Sequence, residues 1–211
     1  VIITDHHDIA KEEGKEILPK ADAIVNPKQQ NCAYPWKEIC GAVVAYKVVK
    51  VLYERFGIDD SQWEEMMEFA AIATVGDVMR LQDENRILVR EGLARMALTK
   101  SVGLRKLVEK NKLDIEHLTA FHIGFVIGPC LNAGGRLQTA KMALELLLSE
   151  DQGEADRLAK ELKLLNDQRK DMTGRGTEQA AVQVEEKYLN HKVLVVYLPE
   201  CHESLAGIIA G

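Results

Sequence analysis

The sequence predicts an α/β fold: a domain with a parallel-type sheet and appended helices, a long connecting helix, and the start of a second α/β lobe. Three observations predict it. Two short apolar runs come early, Val1 to Thr4 and "ADAIVNP", and the proline after Asn26 halts the second. Helical patterns then follow one another without a strand as far as a long polar stretch at Glu154–Tyr188. After it "HKVLVVYLP" reads as a new strand, and "ECHESLAGIIAG" as a loop entering a helix. Strands with helices first, then helices only, indicate an α/β domain carrying a helical section. The expected organisation is 1–150 for the first domain, 151–190 for the connecting helix and 191–211 for the beginning of the second lobe.

The elements can be justified in order. From Ile39 to Phe56 the chain is apolar on almost every side, interrupted by Lys47, Lys50, Glu54 and Arg55. That predicts a largely buried helix ending at Gly57. Ser61 and Glu64, as S-Q-W-E, form a capping-box pattern that opens a helix through "MMEFAAIATVG" to Asp77. Helical patterns follow at Asn85–Leu98, Leu104–Lys110, roughly His117–Ile127 and Thr139–Leu148. Along the long polar helix, Leu158, Leu162, Leu165, Arg169 and Met172 recur at spacings of 4, 3, 4 and 3. This narrow seam, with Arg169 lending its aliphatic stem, suits a connector between lobes better than a core element. Gly174 and Gly176, each costing about 1 kcal/mol relative to alanine, mark an expected bend or break.

Composition excludes several classes. With 211 residues, 46 % apolar and 28 % charged, the chain can bury a sizeable core. A net charge of −6 argues against a generally basic, DNA-coating surface, though not against a local phosphate-binding groove. Cys32, Cys40, Cys130 and Cys201 are far apart and form no C-x-x-C pair, so neither a zinc site nor a disulfide framework is expected. A reducing, cytoplasmic setting is the default. No stretch approaches the ~18–20 apolar residues that span a bilayer, so no membrane partner is expected. Val1 already lies inside a strand pattern and "SLAGIIAG" stops within an apolar element, so the chain reads as an internal piece of something longer.

Four places could carry chemistry. Asp5-His6-His7 follow an apolar run that reads as a buried strand, and strand carboxyl ends in open α/β sheets face the ligand crevice. Imidazole beside carboxylate suits Mn²⁺, Zn²⁺ or Fe²⁺, and carboxylates alone suit Mg²⁺; the competing reading is a surface loop with chance histidines. Asp77 ends a greasy helix, where an anion meets the negative end of the macrodipole. Either it is already solvated, or something positive meets it, and a metal shared with His6 is the simplest partner. In "GPCLNAGGRL", Gly134 and Gly135 with Asn132 and Arg136 suit a phosphate, or else form a plain inter-helix turn. His202 in "CHESLAG" could contact an anion at a helix start; equally, Ser204 is an N-cap and His202 solvated. His117, His122 and His191 read as structural or surface histidines.

Together these blocks resemble a known family. Asp5-His6-His7 resembles the namesake motif of the DHH phosphoesterases, and "ATVGDVMRL" with "ENRILVREGL" (Ala73–Leu93) resembles that family's fourth motif. "ICGAVVAYK", "GPCLNAGGRL", "LNDQRK" and "CHESLAGIIAG" are similar to its RecJ-type branch, the single-strand-specific 5′→3′ DNA exonucleases of repair and recombination. The resemblance implies a DHH domain, a connecting helix and the start of a DHHA1 lobe. It implies a phosphodiesterase using two ions of Mn²⁺ or Mg²⁺, with His6 and Asp77 as metal ligands. His7 would lie nearer the scissile phosphate, with Asp5 orienting the histidines. Arg136 would hold a substrate phosphate and stabilise developing charge, and His202 would be the second lobe's substrate contact. Single-stranded DNA is the implied partner, with a helicase or single-strand-binding protein as recruiter.

The family carries aspartate-rich first and second motifs upstream of the triplet, which these 211 residues do not contain. The chain alone is therefore expected to be inactive. Two alternatives stand beside this reading: an oligoribonucleotide or cyclic-dinucleotide phosphodiesterase of the same superfamily, and a non-catalytic replication scaffold.

Overall fold

The computed structural model describes all residues, Val1–Gly211. It begins with four short strands: β1 (Ile2–Thr4), β2 (Lys11–Glu12), β3 (Lys15–Glu16) and β4 (Ala23–Val25). Helices follow: α1 (Gly41–Phe56), α2 (Asp60–Glu64), α3 (Met67–Gly76), α4 (Asp83–Met96) and α5 (Val102–Lys110). A 3₁₀ turn (Ile115–His117) precedes α6 (Ala120–His122), a π-helical turn (Ile123–Ile127) and α7 (Gly128–Leu137). Then come α8 (Lys141–Leu148), α9 (Gln152–Lys187) and α10 (Ala206–Ala210). The chain divides into two compact units, one of residues 1–100 with 113–128 and one of residues 101–112 with 129–211.

In the first unit the two expected strands pair in parallel, Ile2 opposite Ala23, Ile3 opposite Ile24 and Thr4 opposite Val25. The Asp5 amide continues the ladder by donating to the Val25 carbonyl at 3.0 Å. The connection between them contains an antiparallel hairpin, β2–β3, that sequence reading missed. Its turn residues Glu13 and Gly14 both have positive φ, as a type I′ turn requires, but "KEEGKE" has no apolar alternation to announce it. β1 is less buried than its apolar run suggests: Ile2 is 68 % exposed, because β4 is its one neighbouring strand and α1 packs beside it on one side.

α1 ends where expected, at Gly57 in the left-handed region, whose N–H turns back to the Glu54 carbonyl. Ile39 and Cys40 just before it, with Val43, Val44 and Tyr46 of its first half, join Trp63, Ala70 and Leu88 in one core cluster. Each fully buried large apolar side chain there is worth roughly 1.5–3 kcal/mol. Val51, Leu52 and Phe56 in its second half are exposed, so the helix is buried at one end rather than throughout. The expected cap also differs. Asp59, not Ser61, caps α2, its Oδ1 accepting from the Ser61 amide at 2.9 Å and from the Ser61 hydroxyl. An ionised carboxylate complements the positive helix end better than a hydroxyl does. The helix expected to run unbroken to Asp77 is interrupted at Glu65-Met66, where α2 gives way to α3.

Glu68 on α3 is buried, and the Thr99 hydroxyl donates to its Oε1 at 2.7 Å. Burial pushes this carboxyl above its ordinary range. The folded state therefore binds more protons than the unfolded one, and stability falls as pH rises from the unfolded carboxyl range through the folded pKa. Glu68→Gln keeps an acceptor for Thr99 and removes the buried charge. It is expected to raise the urea midpoint at pH 7.5, with the gain closing by about pH 4, where the unfolded glutamate is largely neutral.

In the second unit α9 runs unbroken for 36 residues. Its seam is wider than the leucine spacing suggested. Ala155 and Ala159 are buried beside Leu158, Leu162 and Leu165, and this face packs against α5 and α8. The first half of α9 is thus a core element, not a bare connector. Nor do the glycines break it: at Gly176 the missing side chain admits Ile209 of α10, whose Cγ1 lies 3.3 Å from where a Cβ would be. "HKVLVVYLP" forms no strand. No second strand lies beside it; Gln183 Nε2 donates to the Tyr197 carbonyl at 3.0 Å, and Val193, Leu194, Val195 and Tyr197 are exposed.

Candidate metal and substrate sites

In the first unit, β1 delivers Asp5, His6 and His7 into a loop that a buried amide holds in place. Asn26, just after β4, donates through Nδ2 to the His7 carbonyl at 3.0 Å and accepts the Lys28 amide on Oδ1 at 2.9 Å. Asp5 Oδ1 gathers three donors: the amides of His6 at 2.7 Å and His7 at 3.2 Å, and His7 Nδ1 at 2.7 Å. The His7 imidazole, then its amide, hold the Asp5 carboxyl below the usual range. With Nδ1 committed to Asp5, His7 has Nε2 left for other contacts.

His6 turns inward, its side chain 17 % exposed. Its ring lies against the first residue of α1, with Cδ2 3.4 Å from the position a Gly41 Cβ would take. Its Nε2 stands 3.5 Å from Asp77 Oδ2. Asp77 caps α3, its amide closing the last turn onto the Ala73 carbonyl at 2.9 Å, and its side chain is 48 % exposed. The carboxylate is thus partly solvated, and it faces an imidazole nitrogen. Ligand bonds of about 2.0–2.2 Å to one cation leave two ligand atoms at such a separation. The donor chemistry, one imidazole and one carboxylate, suits Mn²⁺, and a cation here would offset the unfavourable helix-dipole environment of the acid. No group of three or more His, Cys, Asp or Glu side chains gathers around one point, so the pair stands without a third protein ligand.

The second unit holds the other candidates. "GPCLNAGGRL" is helix α7 rather than a loop, so Gly134 and Gly135 do not offer exposed amides to a phosphate. The smallness of Gly134 serves packing, since a Cβ there would sit 2.8 Å from the Thr139 carbonyl oxygen; one on Gly135 would make ordinary contact, 3.4 Å from Ala140. Asn132 is exposed on the same helix. Arg136, in its last turn, donates from Nη1 to the Ser204 carbonyl at 2.9 Å, and the Ser204 hydroxyl donates back to the Arg136 carbonyl at 3.2 Å. The cap of the 3₁₀ turn Glu203–Leu205 is His202 and not Ser204; its Nδ1 accepts the Ser204 amide at 3.3 Å. Ser204 thereby links Arg136 to His202, which lines a cavity of about 210 Å³ with Arg175 and Gln179 of α9. His117 pairs with Asp114, His122 accepts the Thr119 amide, and His191 packs edge-on to Tyr188, all local roles as expected.

Asn26, Gly41, Arg175 and Gln179 were not anticipated. Asn26 and Gly41 act across sequence separations that local patterns do not reveal; "NP" reads only as a strand stop, and Gly41 only as part of an apolar helix and of a block resembling the family.

An α/β chain whose first strand ends in D-H-H beside the acid capping a helix defines a class, and sequence comparison agrees. Residues 1–76 match the DHH family, N-terminal domain. Along its whole length it is 39 % identical to the single-stranded-DNA-specific exonuclease RecJ of Bacillus subtilis (strain 168) and 35 % identical to that of Escherichia coli (strain K12). It spans 25 % and 38 % of the length of those relatives. Among solved structures, RecJ of Thermus thermophilus in complex with Mn²⁺ matches with a TM-score of 0.83 and 34 % identity, over 99 % of this chain and 30 % of that one. The same protein in complex with Mg²⁺ matches with a TM-score of 0.80 and 33 % identity, over 99 % and 30 %. The chain is thus similar to RecJ along its whole length and to the DHH family over its first 76 residues.

Proposed function

We propose that this chain is part of a metal-dependent phosphodiesterase, a single-stranded-DNA-specific 5′→3′ exonuclease of DNA repair and recombination. The observation that carries the reading is the approach of His6 Nε2 to Asp77 Oδ2 at 3.5 Å, across 71 positions of sequence (77 − 6). His6 and Asp77 would hold Mn²⁺ or Mg²⁺, with further ligands from the remainder of the protein. Divalent ions held there would supply a hydroxide nucleophile at neutral pH and neutralise charge on the phosphate.

The chain's own residues do the rest. Asp5 fixes the ring of His7 through Nδ1, so that Nε2 is presented to the phosphate side of the site. Arg136 contributes guanidinium donors, matched in shape to phosphate oxygens, that stabilise charge without transferring a proton. His202 offers a second-lobe contact to the strand, and Asn132, Gly134 and Gly135 contribute the exposed and close-packed faces of the helix carrying Arg136. Residues 1–150 act as the DHH domain, 151–190 as the connecting helix and 191–211 as the opening of DHHA1. A helicase or single-strand-binding protein is the partner class such an enzyme calls for, in the cytoplasm; no helix is long and apolar enough to cross a membrane.

The test is an assay of the full-length protein with Mn²⁺ on 5′-labelled single-stranded DNA, blunt duplex and dinucleotides. Release of nucleotides from the 5′ end of single strands, with duplex cleaved far more slowly, is the expected result. Preferential cleavage of dinucleotides would instead favour a sister phosphodiesterase. Residues 1–211 alone, holding two ligands of the set, are expected to show no exonuclease activity in the same assay.

A further inference from the structure

The residue immediately after Asp77 is held in a conformation that its side chain disfavours. Val78 has φ +55°, the left-handed region, where a β-branched residue is a genuine outlier. The cause is a complete Schellman ending of α3: the Val78 amide donates to the Val75 carbonyl at 3.1 Å and the Met79 amide to the Thr74 carbonyl at 3.1 Å. The residue in Val78's place within that motif is usually glycine, which takes the conformation without steric cost.

The turn is fixed from both sides. Met79 and Ala73 pack against the core cluster, and Thr74 is fully buried. Beyond it, buried Asn85 donates through Nδ2 to the Arg80 carbonyl at 3.0 Å and to the Glu38 carbonyl at 2.6 Å. These contacts impose the backbone path but give the valine side chain nothing in return. Val78 is 87 % exposed. A strained apolar side chain with no packing role in the fold, one residue from a candidate metal ligand, points to function, since strain persists where the surroundings over-determine it and tends to collect at active sites.

We propose that Val78 is a specificity-determining residue whose isopropyl group packs on the sugar and base of the nucleotide whose phosphate would lie at a cation held by His6 and Asp77. This rests on the phosphodiesterase reading and deepens it. A phosphate-binding site selects a phosphodiester but is blind to what the phosphate carries. An apolar group standing beside it supplies a contact for the nucleoside and favours a strand whose terminal base is unpaired and accessible.

The test uses the full-length protein with Mn²⁺ and a 5′-phosphorylated single-stranded oligonucleotide, comparing Val78→Gly and Val78→Leu with the parent. Val78→Gly relieves the backbone and deletes the contact. It is expected to melt at or above the parent temperature while KM rises about five-fold or more and kcat falls far less. Val78→Leu, which retains apolar surface, is expected to recover most of the KM. On an oligonucleotide with an abasic 5′-terminal residue the KM gap between parent and Val78→Gly should narrow. A Val78→Gly protein with the parent KM overturns the proposal, and so does one that melts clearly lower, because Val78 would then be packing against protein. A parent without metal-dependent cleavage sinks the reading beneath it; an active parent that Val78→Gly matches sinks Val78 alone.

Discussion

Replacing His6 or Asp77 by alanine in the full-length protein is expected to lower Mn²⁺-dependent cleavage of single-stranded DNA by about 10³-fold or more. Metal activation of the nucleophile and neutralisation of phosphate charge are together worth several kcal/mol. At 1.36 kcal/mol per tenfold in rate, about 4 kcal/mol is already a thousandfold. The Asp77 substitution separates chemistry from structure with unusual clarity. The turn after α3 is made by backbone hydrogen bonds at Asp77, Val78 and Met79, none of which needs the carboxylate. Removing an anion from the negative end of a helix is favourable by about 0.3–1 kcal/mol. In metal-free buffer Asp77→Ala should therefore melt no lower than the parent, while calorimetric titration with Mn²⁺ shows weakened binding. Activity within tenfold of the parent in either variant would remove the shared metal centre from the mechanism.

What made this pair visible in the sequence was a local contradiction of burial. Four ionisable residues after an apolar strand run, and an acid closing an apolar helix, each need a compensating partner, and each was identifiable without knowing the fold. The strand pair was equally plain, because apolar runs ending at Asp5 and at Asn26-Pro27 leave little else for those segments to be. What stayed hidden depends on approach between distant segments. Asn26 holds the His7 carbonyl from 19 positions away, and Gly41 lies against the His6 ring. Neither residue type announces such a role. The glycine pair at 134–135 misled for the same reason: read alone it suggests a turn, whereas Gly134, beside the Thr139 carbonyl, is a helix position that must stay bare. "HKVLVVYLP" erred the other way, since strand propensity yields a strand only where another strand supplies hydrogen bonds.

A single type of substitution is expected to have opposite effects at two glycines of the second unit. At Gly103, in the first turn of α5, an added Cβ would meet the Leu146 carbonyl carbon at 2.6 Å and Leu146 Cγ at 3.2 Å. The obstacle is backbone of α8, which cannot rotate away as a side chain would. Overpacking usually costs about 1–3 kcal/mol, and a backbone clash puts Gly103→Ala at or beyond the upper end, about 3 kcal/mol or more. Gly174 lies in the interior of α9 with nothing within 4 Å of its would-be Cβ. There alanine gains its helix propensity unopposed, and Gly174→Ala should stabilise by up to about 1 kcal/mol. Urea denaturation of both variants checks the pair; a loss below about 1 kcal/mol at Gly103 would contradict the α5–α8 approach. The consequence reaches the candidate site, because α9 packs against both α5 and α8 and places Leu162 Cδ2 3.2 Å from where a Gly134 Cβ would lie on α7. Arg136 follows Gly134 by two positions, so the seat of the proposed phosphate-binding guanidinium rests on α9, the helix that packs on the α5–α8 pair Gly103 lets approach.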